Sequence, residues 1–160
     1  MPIDDWMPTV KTMMLEVHAA AKAADYIQTK GKVCGYNEWP GKVAYLPTSL
    51  ISVKDGDQTY GSSSPALAHH NLKIWVFFQG VTLAQSQKMA VPFIELVRNK
   101  FATNITLGGN VDHCLPPNPP EIFYSGPGML RYGNEEYPGL IFNYDIKEDE
   151  TGTFTVSATP

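Results

Sequence analysis

The run Leu72–Gln79, LKIWVFFQ, constrains the fold more than any other stretch of the chain. Read as a strand, it places Leu72, Ile74, Val76 and Phe78 on one side and Trp75 and Phe77 on the other, because successive side chains alternate. A strand that is apolar on both sides sits centrally in its sheet. Its second face must then meet either a helix layer or another subunit.

The segments around it supply the covering layer. Trp6, Val10, Met13, Met14, Val17, Ala21 and Ala24 recur at three- and four-residue steps, which predicts a helix over Asp5–Ala24. Asp4 or Asp5 caps its start and Pro8 falls in the first turn, where its missing N–H costs little. Thr82-Leu-Ala-Gln85 has the form of a capping box. The helix it opens carries Leu83, Ala90, Phe93, Ile94, Val97 and Phe101 along one side and ends near Thr103. Pro92 conflicts with a straight version, so either that helix kinks or its regular part begins at about Val91.

The remaining elements read as strands and connections. Tyr45–Val53 is a strand, followed by a turn at Lys54-Asp-Gly-Asp57 on the strength of its Asp-Gly pair. Tyr60–Pro65, YGSSSP, is a loop by composition. Ile105–Leu115 reads as a strand with a bulge or bend at Gly108-Gly109, and Pro116–Pro120 as a stiff connector. Ile122–Tyr124 and Met129–Tyr132 are short strands, Gly133–Glu136 is a turn, and Tyr137–Lys147 is the last long strand. In it Leu140, Phe142, Tyr144 and Ile146 alternate with polar residues, so one face is in the core and one is wet. The expected product is a single α+β domain over residues 1–148, a mostly antiparallel sheet with an N-terminal and a central helix. Residues 149–160 form an extended tail, either frayed or an arm that adds a strand to a neighbour.

At 160 residues with 43% hydrophobic and 18% charged side chains, the chain belongs to the globular class and can bury a core without staples. The net charge of -4, with only 12 scattered Lys and Arg, argues against gripping nucleic acid through its phosphates. The N-terminus lacks a basic stretch followed by an apolar run, so no signal peptide is read and the expected site of synthesis is the cytoplasm. No stretch approaches the roughly 20 apolar residues of a membrane span. Cys34 and Cys114 are accordingly read as two reduced thiols.

A search for chemistry returns little. His69 and His70 are adjacent and point to opposite sides of an extended chain, while His113 opposes Asp112 and Cys114; a bridged zinc site from His70, His113 and Cys114 is the sharpest metal reading. No Ser or Cys sits on a nucleophile elbow beside a base. Gly108-Gly109 does not open a helix, so it is no phosphate cradle. Asp55 and Asp57 lack the remaining spacing of a calcium loop. Neither catalytic residues nor a cofactor or metal is assigned.

The helix-first α+β order, the run Phe101–Pro117 (FATNITLGGNVDHCLPP) after the second helix, and the closing hairpin Met129–Glu150 (MLRYGNEEYPGLIFNYDIKEDE) resemble the small neck and tail-completion proteins of long-tailed bacteriophages. Within that set the chain is most similar to tail terminators, over about Leu72 to Glu148; the YGSSSP loop and the PPNPP connector have no counterpart. The resemblance implies a structural virion protein rather than an enzyme. It would form a homohexameric ring at the head–tail junction, capping the tail tube and meeting the head connector, while double-stranded DNA passes through the lumen without specific binding. A ring needs covered patches, and Trp75, Phe77, Asp55, Asp57, Tyr60, Phe154 and Val156 are the residues expected at subunit or tube contacts. Another neck ring (head closure or adaptor) or a tail tube subunit are close alternatives. A small metal-dependent hydrolase using His69, His70, His113 and Cys114 is the alternative of a different class.

Overall fold

The computed structural model describes residues 3–27, 29–43, 46–60, 66–78, 83–104, 106–107, 113–115 and 124–149, with 3–5, 54–60, 66–70, 83, 86, 113, 115, 124–125 and 147–149 described by their backbone. The elements are α1 (Ile3–Ala23), β1 (Lys32–Cys34), β2 (Thr48–Tyr60), β3 (Ala66–Phe77), α2 (Leu83–Ala102), β4 (His113–Leu115), β5 (Tyr124–Tyr132) and β6 (Glu135–Asp149). They make an α+β fold built on one six-stranded sheet of order β1-β2-β3-β6-β4, with β5 also paired to β6. Among the described residues only the β1–β2 pair is parallel. Because β3 takes one edge of β6 along Gly139–Asp149, β5 and β4 share the other edge in succession, opposite Glu135–Phe142 and Asp145–Lys147.

Both helices lie against one face of this sheet. Trp6, Val10, Met14 and Val17 of α1 and Phe93, Val97 and Phe101 of α2 are buried with Ile51 of β2, Leu72, Ile74 and Val76 of β3, and Leu140, Phe142, Tyr144 and Ile146 of β6. The period of 3.6 in the helices thus meets the period of two in the strands, and the doubly apolar β3 is central between β2 and β6. Burying such side chains is worth roughly 1.5–3 kcal/mol each, which makes this layer the main source of stability. Phe78 meets Phe93 edge-on at 5.3 Å, and Phe101 stacks on Tyr144 at 4.1 Å.

α1 starts at Ile3, so Pro8 falls in its second turn rather than its first, on the exposed side of the helix. Its end is a Schellman arrangement: Tyr26 N–H donates to Ala21 O (2.8 Å) and Asp25 N–H to Lys22 O (3.1 Å), with Asp25 at φ 60. Ala24 therefore leaves the apolar stripe and is exposed. α2 runs continuously through Pro92, which settles the two alternatives in favour of one long helix. Its last carbonyls are taken by side chains, Thr103 Oγ1 on Asn99 O (3.1 Å) and Asn104 Nδ2 on Lys100 O (2.8 Å). The proposed N-cap Thr82 lies outside the described residues.

Three strand expectations are corrected. Asp55-Gly56 is not a reversal: β2 continues to Tyr60, and the register with β3 shifts between Val53 and Gly56 so that Lys54 and Asp55 oppose Asn71 alone. The Asp-Gly pair marks a bulge in a long hairpin, an insertion that the two-residue turn signal imitates. Thr106 and Leu107 form a turn, and the strand expected from Ile105 is limited among the described residues to His113–Leu115. The expected strand Met129–Tyr132 extends back to Tyr124 as β5, bulged between Ser125 and Gly128, while Ile122 and Phe123 lie outside the described residues. The β5–β6 turn is tighter than the expected Gly133–Glu136: it is the pair Gly133-Asn134, with Glu135 and Glu136 already in β6 and Gly133 at φ 63 supplying the positive φ of the first central residue. Gly139 is required for a different reason, since a Cβ there would sit 2.2 Å from Val76 O of the adjoining strand. The connections 61–65 and 116–120 and the segment 150–160, with Phe154 and Val156, lie outside the described residues.

Candidate functional site

The face of the sheet opposite the helices carries Trp75 and Phe77, two of the residues expected to meet partners, and it divides into two halves. At one end Cys34, Leu50 and Phe77 are buried together with Val43, and Trp75, Leu130, Tyr132 and Tyr137 pack around them partly exposed. Among the described residues no helix covers this end; the chain's own residues 35–43 and 46–47 lie across it as a strap. Trp39 Nε1–H donates to Ile51 O at 2.9 Å, and the Tyr132 hydroxyl donates to Pro40 O. The Trp39 ring meets Trp75 at 6.5 Å and Tyr132 at 6.1 Å, while Phe77 is held edge-on by Tyr132 (6.0 Å) and Tyr137 (5.6 Å).

The strap is also tied to α1. Lys11 Nζ lies 2.5 Å from Glu38 Oε1, which accepts the Gly35 N–H at 2.8 Å as well. Those two bonds, the lysine's first, hold the Glu38 carboxyl below its ordinary range. Met7, Thr12, Leu15 and Tyr36 are among the residues lining a depression of about 430 Å³ between the strap and α1.

Trp75 and Phe77 thus have different fates. Phe77 is fully buried within the chain, so its ring is not offered to a neighbour. Trp75 keeps partial exposure, and Trp39, absent from the expected contact residues, adds 41% exposure beside it. Trp39 escaped notice because it stands alone in a stretch without periodicity; its partners are distant in sequence. Asp55, Asp57 and Tyr60 lie along the β2 side of the hairpin, at the other end of the sheet.

That other end is polar, and among the described residues no strap lies across it. Asn71, Lys73, Asn143 and Asp145 are half-buried there. The Asn71 Oδ1 is sheltered from water and accepts no hydrogen bond among the described residues. The strand register also decides the histidine–cysteine set. Ile146 pairs with His70 on one side and Cys114 on the other, and Lys147 pairs likewise with His69 and His113. Each pair is therefore separated by a whole strand, about 10 Å across two strand spacings. The register does not bring His70, His113 and Cys114 together as ligands of one ion. Burial drives the Cys114 and Cys34 thiols above their ordinary range, away from the reactive thiolate.

No family model matches the chain, and no curated protein matches it.

One further polar residue is built into the core, and sequence reading passed over its role. His18 is fully buried on α1. Its Nδ1 lies 2.6 Å from Lys30 O and its Nε2 2.7 Å from Ser49 Oγ. A carbonyl only accepts, so Nδ1 carries the proton and Nε2 accepts from the serine hydroxyl; the ring is a neutral tether between α1, the segment before β1 and β2. Burial lowers its pKa below 6.5.

Proposed function

We propose that this chain is a structural virion subunit of a ring at the head–tail junction of a long-tailed bacteriophage, a tail terminator that caps the tail tube and meets the head connector. The observation that carries the reading is the asymmetry of the sheet's margins. A closed head-to-tail ring needs two unlike complementary patches on each subunit. Here one margin is β2, paired by β1 only along Thr48–Leu50, and the other is shared by β5 and β4 on β6. With the helices confined to one face, both margins stay accessible to neighbours among the described residues. The partly exposed aromatic end formed by Trp39 and Trp75 adds a contact surface, and the net charge of -4 suits a lumen that lets DNA slide past.

The test is the assembly state. Size-exclusion chromatography with light scattering and negative-stain imaging of the purified protein should show closed rings of several chains that bind the ends of tail tubes and stop there. Filaments of indefinite length would assign it to the tube instead. A strict monomer with no affinity for tube ends overturns the proposal.

A further inference from the structure

We infer that His18 is an acid-operated latch: protonation of its ring releases the segment Thr29–Cys34 from α1 and β2 while the helix layer stays in place. The device is independent of the ring reading and concerns how the outer face of the sheet is kept covered.

His18 joins three parts of the fold. From α1 its Nδ1–H donates to the Lys30 carbonyl at 2.6 Å, and its Nε2 accepts from the Ser49 hydroxyl of β2 at 2.7 Å. Phe93 of α2 meets the ring edge-on at 5.5 Å, and the ring is fully buried. Both nitrogens are therefore committed in the neutral form. A second proton has to enter at Nε2, facing the serine oxygen; the hydroxyl must turn to accept it, and its own hydrogen loses the histidine as acceptor. The neighbouring charges do not compensate. On α1, Glu16 is paired with Lys100 of α2 at 2.6 Å, Lys22 is a cation, and Asp25 beyond the helix end is exposed. Lys30 and Lys32 of the segment are cations too, while β2 and α2 present Ser49 and Phe93. Among the described residues no carboxylate acts on the ring; burial disfavours its charged form, countered in part by the Lys30 carbonyl. A charge formed there has no counterion, and the least costly relief is to admit water.

The segment is the least firmly held of the three partners. α1 is anchored in the core by Trp6, Val10, Met14 and Val17, and β2 pairs with β3 from Thr48 to Tyr60. Besides the histidine, Thr29–Cys34 is held by the Thr29 hydroxyl on Leu46 O (2.8 Å), the Lys32 N–H on Pro47 O (3.0 Å) and a three-residue register with β2. Lys30 and Gly31 are exposed, so water reaches the Nδ1 side of the ring first. Regions with few constraints open at far lower cost than the whole molecule. Opening carries Cys34 away from Leu50 and Phe77, which uncovers the aromatic end of the outer face in acid.

The two thiols report on the two layers. Cys34 lies in the segment and Cys114 in β4 against the helix layer, and both are buried. The full-length protein is treated with dithiodipyridine, a thiol reagent that works in acid, between about pH 7.5 and 5. The labelled cysteine is identified by peptide mass, and each rate is divided by that of the urea-unfolded chain at the same pH. The closed form binds the His18 proton only below the ordinary 6.5, whereas the open form binds it there. Below about pH 6.5 the normalised Cys34 rate should therefore rise, by at most about tenfold per pH unit for one proton, while Cys114 stays protected. His18→Gln keeps an amide for hydrogen bonding but does not titrate, and it should flatten the Cys34 profile. Labelling of both thiols together, a Cys34 rate without an acid rise, or a rise that persists in His18→Gln overturns the inference. If His18→Gln does not fold, the contrast between the two thiols in the wild type decides.

Discussion

The two faces of the sheet are both apolar where β3 crosses them, yet they are covered in different ways. On the helix side, two long helices lay down regular stripes, and Phe93, Val97, Phe142 and Ile74 are all out of solvent. On the other side, a strap with no helix or strand among its described residues covers Phe77 and Leu50, held by one indole hydrogen bond, one tyrosine hydrogen bond, the Lys11–Glu38 ion pair and a few ring contacts. The first cover is cooperative, since each helix residue is fixed by its neighbours' backbone bonds as well as by packing. The second depends on individual side chains, and one of them, Trp39, is 41% exposed. The difference teaches that burial alone does not define a core; the number of independent constraints behind it does.

If the helix side is the stable layer, Phe142→Ala should have the largest effect, because it empties a site with 0% exposure between the sheet and the helices. A loss of about 3–5 kcal/mol is expected in denaturant melts. A cost below that of a surface substitution would break the distinction between the faces.

His18 tests the same layer through pH. Its folded pKa lies below the 6.5 of the unfolded chain, owing to burial, so the unfolded state takes up the proton first. Its contribution is fully present above about pH 6.5 and is lost as pH falls from there towards the lowered folded value. Melts of the wild type between pH 7.5 and 5 should show this decline. His18→Leu should remove that part of the slope while costing about 1–3 kcal/mol at neutral pH, by leaving the Ser49 hydroxyl and the Lys30 carbonyl without their partner. An unchanged slope in the variant would place the pH dependence elsewhere.

The smallest effect is expected from Trp39→Ala. One hydrogen bond and two aromatic contacts go, which is worth about 1–2 kcal/mol. The cost should appear as faster protease cleavage within Gly35–Pro47 at an almost unchanged melting midpoint. Global unfolding as severe as that of Phe142→Ala would instead make the strap part of the core, and cleavage at the wild-type rate would mean that Trp39 does not pin it.

Much of the fold is legible in the sequence wherever one element's own periodicity decides. Trp6 to Ala21 announce α1, Phe93 to Phe101 announce α2, and the alternation from Leu140 to Ile146 marks the wet and dry sides of β6. Gly133 marks the tight turn because only a residue free of Cβ strain adopts its φ cheaply. The misread places are those where one local signal has two structural outcomes. Asp55-Gly56 fits a turn or a bulge equally well, and the pairing of β2 with β3 on both sides of it selects the bulge. Pro92 fits a helix start or an interior interruption, and the packing of Ala90 and Phe93 on either side of it keeps the helix whole.

For the candidate surface the split is sharper. Local alternation alone establishes that Trp75 and Phe77 stand on a second apolar face in need of a cover, since side-chain direction in a strand follows from backbone geometry. What provides the cover is a matter of tertiary structure: the strap reaches Phe77 through Trp39, Pro40 and Tyr132, partners joined across long stretches of chain that no local pattern connects. The same holds for the histidines, whose separation by Ile146 and Lys147 exists only in the strand register. Periodicity is a property of neighbours along the chain and register a property of neighbours across it, and only folding brings the second into being.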